Sequence, residues 1–481
     1  MADPRPIWLV LFLCALVPLA SCNAAQTAAP SSVSPFCVHE VRFTNAVVNE
    51  AAAMQDIGAK TARISPYGGL IWDLIEKEKG SYDWAASDYV VSAGSAAGIA
   101  LFVGVGVQNR LEGTAPGSVV LPKDMEWFLQ FLRSAVERYD GDGIDDAPGS
   151  PKIGAVQIGN EMDGPAFWQD TPENYALLLK KSYQTIKEAA PDMQVAIGGA
   201  ATPEGYREFY KPMLAELDRI KDHSGDHYLD IFDLHWSGQF AGDDDYDAIS
   251  LPTGTYELKA FIADIRSDLA AIGQVNVPFY ITEMSDYSDT PAGYASSTET
   301  YHASAVIKRY VYALAAGIEK IFWAQMFEEH NAGGEENGYF DNVGLINNPL
   351  NADGYSHRKL AYYSYKKMVE TLEGSDWKNI QTVQDAGNVR MYGFVKNGKT
   401  VYAGWWDYLR DPGYAPGTTK QITITNVQGA SMKITEAVPN ASSGLDVTDY
   451  AAAFTSATLP VSSGSVTLSL GERPVFMEVL P

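Results

Sequence analysis

The stretch "IGAVQIGNEMDGPA", residues 153–166, decides the fold. It opens as a short apolar run lined with small residues and ends on Asn160–Glu161, with Gly159 before the pair and Gly164 soon after. Asn and Glu are not residues that strands favour, so a polar pair at a strand's mouth needs a reason beyond sheet pairing. Parallel barrels supply one, because residues at the C-terminal ends of their strands face the place where chemistry is done.

Similar runs recur on both sides of this stretch. They lie near 37–43, at "AKTARIS" (59–65), "IALFVGVG" (99–106) and "MQVAIGGA" (193–200), and then at "DIFDLHW" (230–236), "PFYITEMS" (278–285) and "KIFWAQMF" (320–327). Between them stand amphipathic segments such as "MEWFLQFLRSAVERY" (125–139) and "TYELKAFIADIRSDLAAIG" (255–273). Eight strand–helix repeats with nearly continuous apolar strands predict an α/β protein whose parallel sheet closes as a (β/α)8 TIM barrel over residues 36–375. An open doubly wound sheet is the alternative, but no glycine-rich phosphate fingerprint follows any of these strands. After about residue 375 the texture changes to short alternating runs, among them "VRMYGFV", "TVYAGWW", "SVTLSL" and "PVFMEVL", separated by Gly, Asn, Asp and Ser. That pattern predicts a C-terminal antiparallel β-sandwich over 376–481.

The ends and the charge bound the rest. "MADPRPIWLVLFLCALVPLASC" (1–22) has Arg5, an apolar run from Ile7 to Leu19 and small residues before Cys22. The run is too short to favour a membrane span and reads as a secretory signal. "LASC" resembles the bacterial lipobox, which implies lipidation of Cys22, export, and anchoring of the protein in the bacterial cell envelope. Asn23 after the cysteine favours, by analogy, the outer membrane or cell surface. Residues 23–35, rich in Ala, Ser, Thr and Pro, read as a flexible tether. With Cys22 acylated, Cys37 has no disulfide partner outside the signal and reads as a small buried residue. The chain carries 35 Lys+Arg against 60 Asp+Glu, a net charge of −25. Such a surface repels phosphate backbones and makes nucleic acid an unfavoured partner.

A second glutamate gives the first its meaning. Glu283 in "FYITEMS" closes the seventh run as Glu161 closes the fourth. Two carboxylates converging over a barrel mouth are what glycoside hydrolysis needs, one to protonate the departing oxygen and one to attack the anomeric carbon or activate water. Here the chain resembles the clan A retaining glycoside hydrolases, closest in style to the family 39 type. The resemblance rests on "GNE" at strand 4, "ITE" at strand 7, "TARIS" (61–65 carrying Arg63), "WDLIEKEKGSYDWAASDYVVSAGSAAGI", "GLINNPLNADGYSHRKLAYYSYKKM" and "SLGERPVFMEV". It implies Glu161 as acid/base, Glu283 as nucleophile, Arg63 beside the nucleophile and Asn160 on the sugar 2-OH. It also implies His235 as the strand 6 histidine and Trp323 as the floor of the sugar site.

This chain departs from the pattern twice. Met162 stands where a proline often follows Asn-Glu, and Ser237 stands where strand 6 often carries a tyrosine, which leaves Tyr287 as the candidate tyrosine for Glu283. Trp72, Trp168 and Trp236 are expected in loops on the same face as flat surfaces for sugar C–H groups. The charge of Glu283 is expected to raise the pKa of Glu161, and Arg63 to lower that of Glu283.

The reading is a retaining glycosidase acting on an oligo- or polysaccharide, without cofactor or metal, tethered to a membrane by lipid. The alternative is a non-catalytic glycan-binding lipoprotein on the same scaffold. "YDGDGIDDAPG" (139–149) resembles a calcium loop, but Asp145 occupies the position where an EF-hand needs glycine and no glutamate closes it. A solvated acidic turn is the simpler reading.

Overall fold

The computed structural model describes residues 34–481 apart from 46, 67, 114–117, 240–245, 332–333, 335, 352–353, 355 and 408–417. The signal, Cys22 and the tether up to residue 33 lie outside the described residues, whereas Ser34 is buried and donates to Glu373 (2.8 Å). No helix among the described residues is long and apolar enough to cross a membrane.

Eight parallel strands build the barrel: β1 (Phe36–His39), β2 (Thr61–Ile64), β3 (Ala100–Gly106), β4 (Ala155–Ile158), β5 (Gln194–Ala196), β6 (Phe232–His235), β7 (Phe279–Met284) and β8 (Lys320–Trp323). Hydrogen-bonded neighbours run β5-β4-β3-β2-β1-β8-β7-β6, and parallel bridges Ala196↔Ile231 and Ala200↔Leu234 join the two ends. The sheet is therefore nearly closed. Its interior is filled by Cys37, Phe102, Ala155, Ala196, Ile231, Tyr280 and Phe322, so it is a packed core with no channel. Burial pushes the Cys37 thiol up to about 11, which suits an inert core residue.

The helices follow their strands: α1 (Glu50–Ile57), α2 (Ala85–Ala96), α3 (Met125–Arg138), α4 (Pro172–Ala189), α5 (Lys211–Ile220), α6 (Leu258–Ala271), α7 (Glu299–Ala315) and α8 (Leu360–Leu372). Local chemistry starts several of them. The Thr171 hydroxyl accepts from Asn174 N ahead of α4, with Pro172 at the first helical position where its missing N–H costs nothing, and Thr298 caps α7 in the same way. The predicted helix over 255–273 begins late, because Gly254–Glu257 instead pairs with Ala248–Leu251 as a hairpin.

One irregularity positions the site. Along β7, Ile281 pairs with Leu234 but Glu283 pairs with His235, so Thr282 is an extra residue against β6. A bulge re-aims side chains at a strand end, and here Thr282 and Glu283 both reach His235, as the geometry below specifies.

The C-terminal region holds a six-stranded antiparallel sheet and a two-stranded one. The strands are β9 (Gln381–Ala386), β10 (Val389–Lys396), β11 (Lys399–Trp406), β12 (Lys420–Thr425), β13 (Ser431–Glu436), β14 (Ser456–Pro460), β15 (Ser465–Leu470) and β16 (Val475–Leu480). The large sheet runs β9-β10-β11-β16-β13-β14, and β12 pairs with β15. Val389, Met391, Trp406, Ile422, Leu468 and Met477 form the core between them. The described residues from 34 to 481 belong to one compact unit. Across the junction with the barrel, Trp405 Nε1 donates to Tyr246 Oη (2.8 Å), Tyr246 donates to Asp407 (2.6 Å) and Arg390 pairs with Asp247 (3.0 Å). The buried Trp405 thus serves packing at this junction.

Candidate active site

Gly159 explains how strand β4 presents its glutamate. Its φ is 80°, and a Cβ there would lie 2.3 Å from Met162 Sδ. Only glycine fits that backbone beside that side chain. The chain then turns sharply enough to hold Glu161 at φ 44°, an uncommon conformation for a non-glycine residue. Tyr210 Oη donates to the Gly199 carbonyl and accepts from Met162 N (2.8 and 3.1 Å), which fixes the turn from below. Met162, where a proline was the commoner expectation, is 1% exposed and serves as packing under this turn.

Around that turn the strand ends converge. Single donor atoms of Glu161, His235 and Glu283 all lie within 4.8 Å of one another. Arg63, fully buried, donates from Nη1 to Glu283 Oε1 (2.7 Å), from Nη2 to Asn160 Oδ1 (2.6 Å), and from Nε and Nη2 to Gln157 Oε1 (3.0 and 2.8 Å). With its Oδ1 taken by Arg63, Asn160 has its Nδ2 amide to offer a substrate hydroxyl. His235 Nδ1 stands 2.7 Å from Glu161 Oε1, and its Nε2 3.2 Å from Thr282 Oγ1 and 3.7 Å from Glu283 Oε1. His39 Nδ1 lies 2.9 Å from Arg63 Nη1. The two glutamate side chains remain 23% and 22% exposed, so a ligand can reach both.

The charges balance through these contacts. Burial opposes a charged His235, but the carboxylates of Glu283, Glu161 and Asp233 outweigh it and raise the ring to about 9. Burial would raise Glu283, yet His235, His39 and Arg63 together hold it below its ordinary value. The expected lowering by Arg63 is present and is shared with two histidines. The expectation for Glu161 is corrected. Burial does push it upward, but the hydrogen bond and charge of His235, joined by the charge of Arg63, outweigh burial, so Glu161 sits below its ordinary value. The proton expected on Glu161 therefore rests on the adjoining ring.

The aromatic expectations fare differently. Trp72 is fully buried, packs against Trp127, Phe128 and Phe131, and donates from Nε1 to Glu76 (2.6 Å). Trp168 is 3% exposed, edge-on to Tyr175, with Nε1 on the Thr171 carbonyl. Trp236 is 3% exposed beside Phe261, with Nε1 on the Tyr246 carbonyl. All three are core residues, because each ring has an apolar partner and each indole N–H an internal acceptor. Trp323 also has no solvent-facing surface: it is fully buried between His302 and Tyr310. Tyr287 donates to the Ala295 carbonyl (2.9 Å), so its hydroxyl is not the expected partner of Glu283. At the position where a tyrosine was expected, Ser237 bonds Ser285, which in turn meets Tyr339 (2.9 Å).

Four residues of the constellation were missed in the sequence: His39, Gln157, Asp233 and Thr282. Gln157 and Asp233 are fully buried polar residues inside apolar strands, and that interruption of "AVQI" and "IFDLH" was the available signal. Elsewhere, a cavity of about 930 Å³ lies between the segments after β7 and β8 and does not include Glu161 or Glu283. Three of its carboxylates are spent on the protein: Glu328 on Lys359 and Asn348 N, Asp341 on Asn331 N and Gly338 N, and Glu299 on Leu360 N and Gly444 N. In the acidic turn, donor oxygens of Asp140, Asp142 and Asp146 lie within 4.8 Å of one another, and Asp146 accepts from Gly141 N and Gly143 N.

Comparison with solved structures identifies the architecture. A family 39 glycoside hydrolase from the gut symbiont Bacteroides cellulosilyticus WH2 is similar over 92% of this chain and 80% of its own, at 18% identity and a TM-score of 0.65. A monomeric β-xylosidase from Caulobacter crescentus CB15 is similar over 93% and 96%, at 14% identity and a TM-score of 0.58. An α-L-arabinofuranosidase from Thermotoga maritima is similar over 94% and 98%, at 12% identity and a TM-score of 0.59. The chain has their fold. That is a (β/α)8 barrel followed by antiparallel sheets, the architecture expected from the sequence. No protein-family model matches the sequence, and no curated protein matches it.

Proposed function

We propose that the protein is a glycosidase that cleaves O-glycosidic bonds of an oligo- or polysaccharide by double displacement, with Glu283 as nucleophile and Glu161 as acid/base. The observation that carries this reading is the approach of the two carboxyl groups, with one oxygen of each within 4.8 Å of the other. Retaining pairs stand about 5–5.5 Å apart, whereas inverting pairs stand about 6.5–9.5 Å apart to admit a water. Arg63 and the two histidines keep Glu283 ionised, as a nucleophile requires. The Glu161–His235 pair holds a proton for the leaving oxygen. Asn160 Nδ2 is placed to donate to the sugar 2-OH, a contact that strengthens as oxocarbenium character develops. The glycosidases that share the fold support the same reading.

The test is a panel of aryl glycosides and plant and bacterial polysaccharides, with the anomer first released followed by proton NMR. Retention of configuration is expected on the substrates that turn over. A protein that binds glycans and hydrolyses none, or that releases the inverted anomer, would defeat the proposal.

We also propose export and lipid anchoring through Cys22, on the strength of "LASC" and the tether that follows it. In a bacterial host, Cys22→Ala should abolish labelling by a radioactive or clickable fatty acid and release the protein from membranes. Labelling that persists in the variant would end the anchor claim.

A further inference from the structure

The hydrogen bonds behind Glu161 can be assigned from one member that only donates. Arg63 has no acceptor, and its Nε and Nη2 both point to Gln157 Oε1. That orients the amide, so the group 2.6 Å from Asp233 Oδ2 is the Gln157 Nε2 donor. Asp233 also receives the Thr282 backbone N–H on Oδ1 (3.2 Å) and the Thr282 hydroxyl on Oδ2 (2.7 Å). Met by three donors, this buried carboxylate acts as an acceptor. With its hydrogen given to Asp233, Thr282 Oγ1 presents lone pairs to its other neighbour, His235 Nε2 at 3.2 Å. A second lone pair there would be repelled, so Nε2 carries a hydrogen. The opposite ring nitrogen, Nδ1, faces Glu161.

We propose that Thr282 and Asp233 are positioning residues that lock His235 in its Nε2–H form, making Nδ1 the one ring atom through which Glu161 exchanges its proton. The inference rests on the glycosidase reading for its functional meaning. In the exchange the Nδ1–H bond breaks, an O–H bond forms on Glu161, and the imidazolium becomes the neutral Nε2–H imidazole. The reverse transfer restores the pair when Glu161 has served as base. No other group is consumed or left unbalanced.

The lock also determines how firmly the pair holds its proton. Once the pair has lost one proton, two arrangements remain. A ring with Nε2–H turns a bare Nδ1 toward an ionised Glu161, and a ring with Nδ1–H turns a bare Nε2 toward the lone pairs of Thr282. Both are repulsive, so the pair resists deprotonation. The groups facing the ring are Glu161 and Asp163 from the segment after β4, Asp233 on β6, Glu283 on β7 and His39 on β1, with Arg63 of β2 beside the carboxylates. Removing the Thr282 hydroxyl makes the Nδ1–H arrangement acceptable and takes an acceptor from the imidazolium. Both changes favour loss of the proton.

The experiment pairs nitrogen-15 NMR of the His235 ring with pH profiles of kcat/KM for the wild type, Thr282→Val and Thr282→Ser. In the wild type, Nε2 should stay protonated throughout while only Nδ1 titrates, and activity should fall as pH rises through about 9. Thr282→Val should bring the basic limb down by about one pH unit and populate the Nδ1–H ring, while Thr282→Ser should keep both wild-type properties. A wild-type ring that titrates through Nε2 would overturn the lock. So would a Val variant whose basic limb and ring signals match the wild type. The ring signals are read without turnover, so failure of the lock and failure of the glycosidase reading show separately.

Discussion

Glu283→Ala is expected to lower turnover by roughly 10^5-fold or more, the scale on which removal of a covalent nucleophile acts. The variant has no group to attack the anomeric carbon, so no glycosyl-enzyme can form. It also leaves Arg63 Nη1 and the His235 ring without the carboxylate they share. Two cations beside the vacated space favour a small anion, so added azide should enter and attack from the side that Glu283 occupied. The product should be a glycosyl azide of inverted configuration, because a single displacement has replaced two. Circular dichroism and the melting temperature would confirm that the barrel persists, since Arg63 keeps its bonds to Gln157, Asn160 and His39. Wild-type turnover by this variant would remove Glu283 from the mechanism.

The parts of the site that the sequence made legible are those whose chemistry is local. Glu161 and Glu283 were visible because each is a charged residue at the end of an apolar run, and the barrel repeats said which end that was. The two sandwich strands that escaped notice, β9 and β14, are the edges of the large sheet. Their residues are mostly exposed, so "QTVQDA" and "SATLP" carry no alternating apolar pattern. The four tryptophans misled for the opposite reason. An indole in a strand-end segment reads alike whether its ring meets solvent or core, and only packing decides; Trp72 finds three aromatic neighbours that lie far along the chain. Gln157 and Asp233 left only their polar interruption of apolar strands as a signal, and the part of Thr282 was beyond pattern reading because it depends on a one-residue shift between β6 and β7. Without that shift Glu283 would not stand opposite His235. The pKa of Glu161 then came out with the opposite sign, since the sequence reading had weighed the repulsion from Glu283 and omitted the histidine between the two carboxylates.

Glu161→Ala should fail in a different and diagnostic way. The nucleophile survives, so the first displacement remains possible wherever the leaving group departs without a proton. An activated aryl glycoside such as the 2,4-dinitrophenyl derivative should still release its phenol in a burst, whereas unactivated substrates should slow by about 10^2–10^4-fold, the usual worth of a positioned general acid. After the burst the glycosyl-enzyme should accumulate, because Glu161 no longer deprotonates water. Azide needs no deprotonation, and the gap left by the carboxylate lies against His235 Nδ1, a site that carries positive charge. Azide should therefore speed turnover of the activated substrate and give a glycosyl azide of retained configuration, the product of two displacements. The contrast with Glu283→Ala carries the assignment: inverted azide from one variant and retained azide from the other. The same stereochemistry from both, or loss of activated and unactivated substrates alike in Glu161→Ala, would show that the two carboxylates do not divide the work in this way.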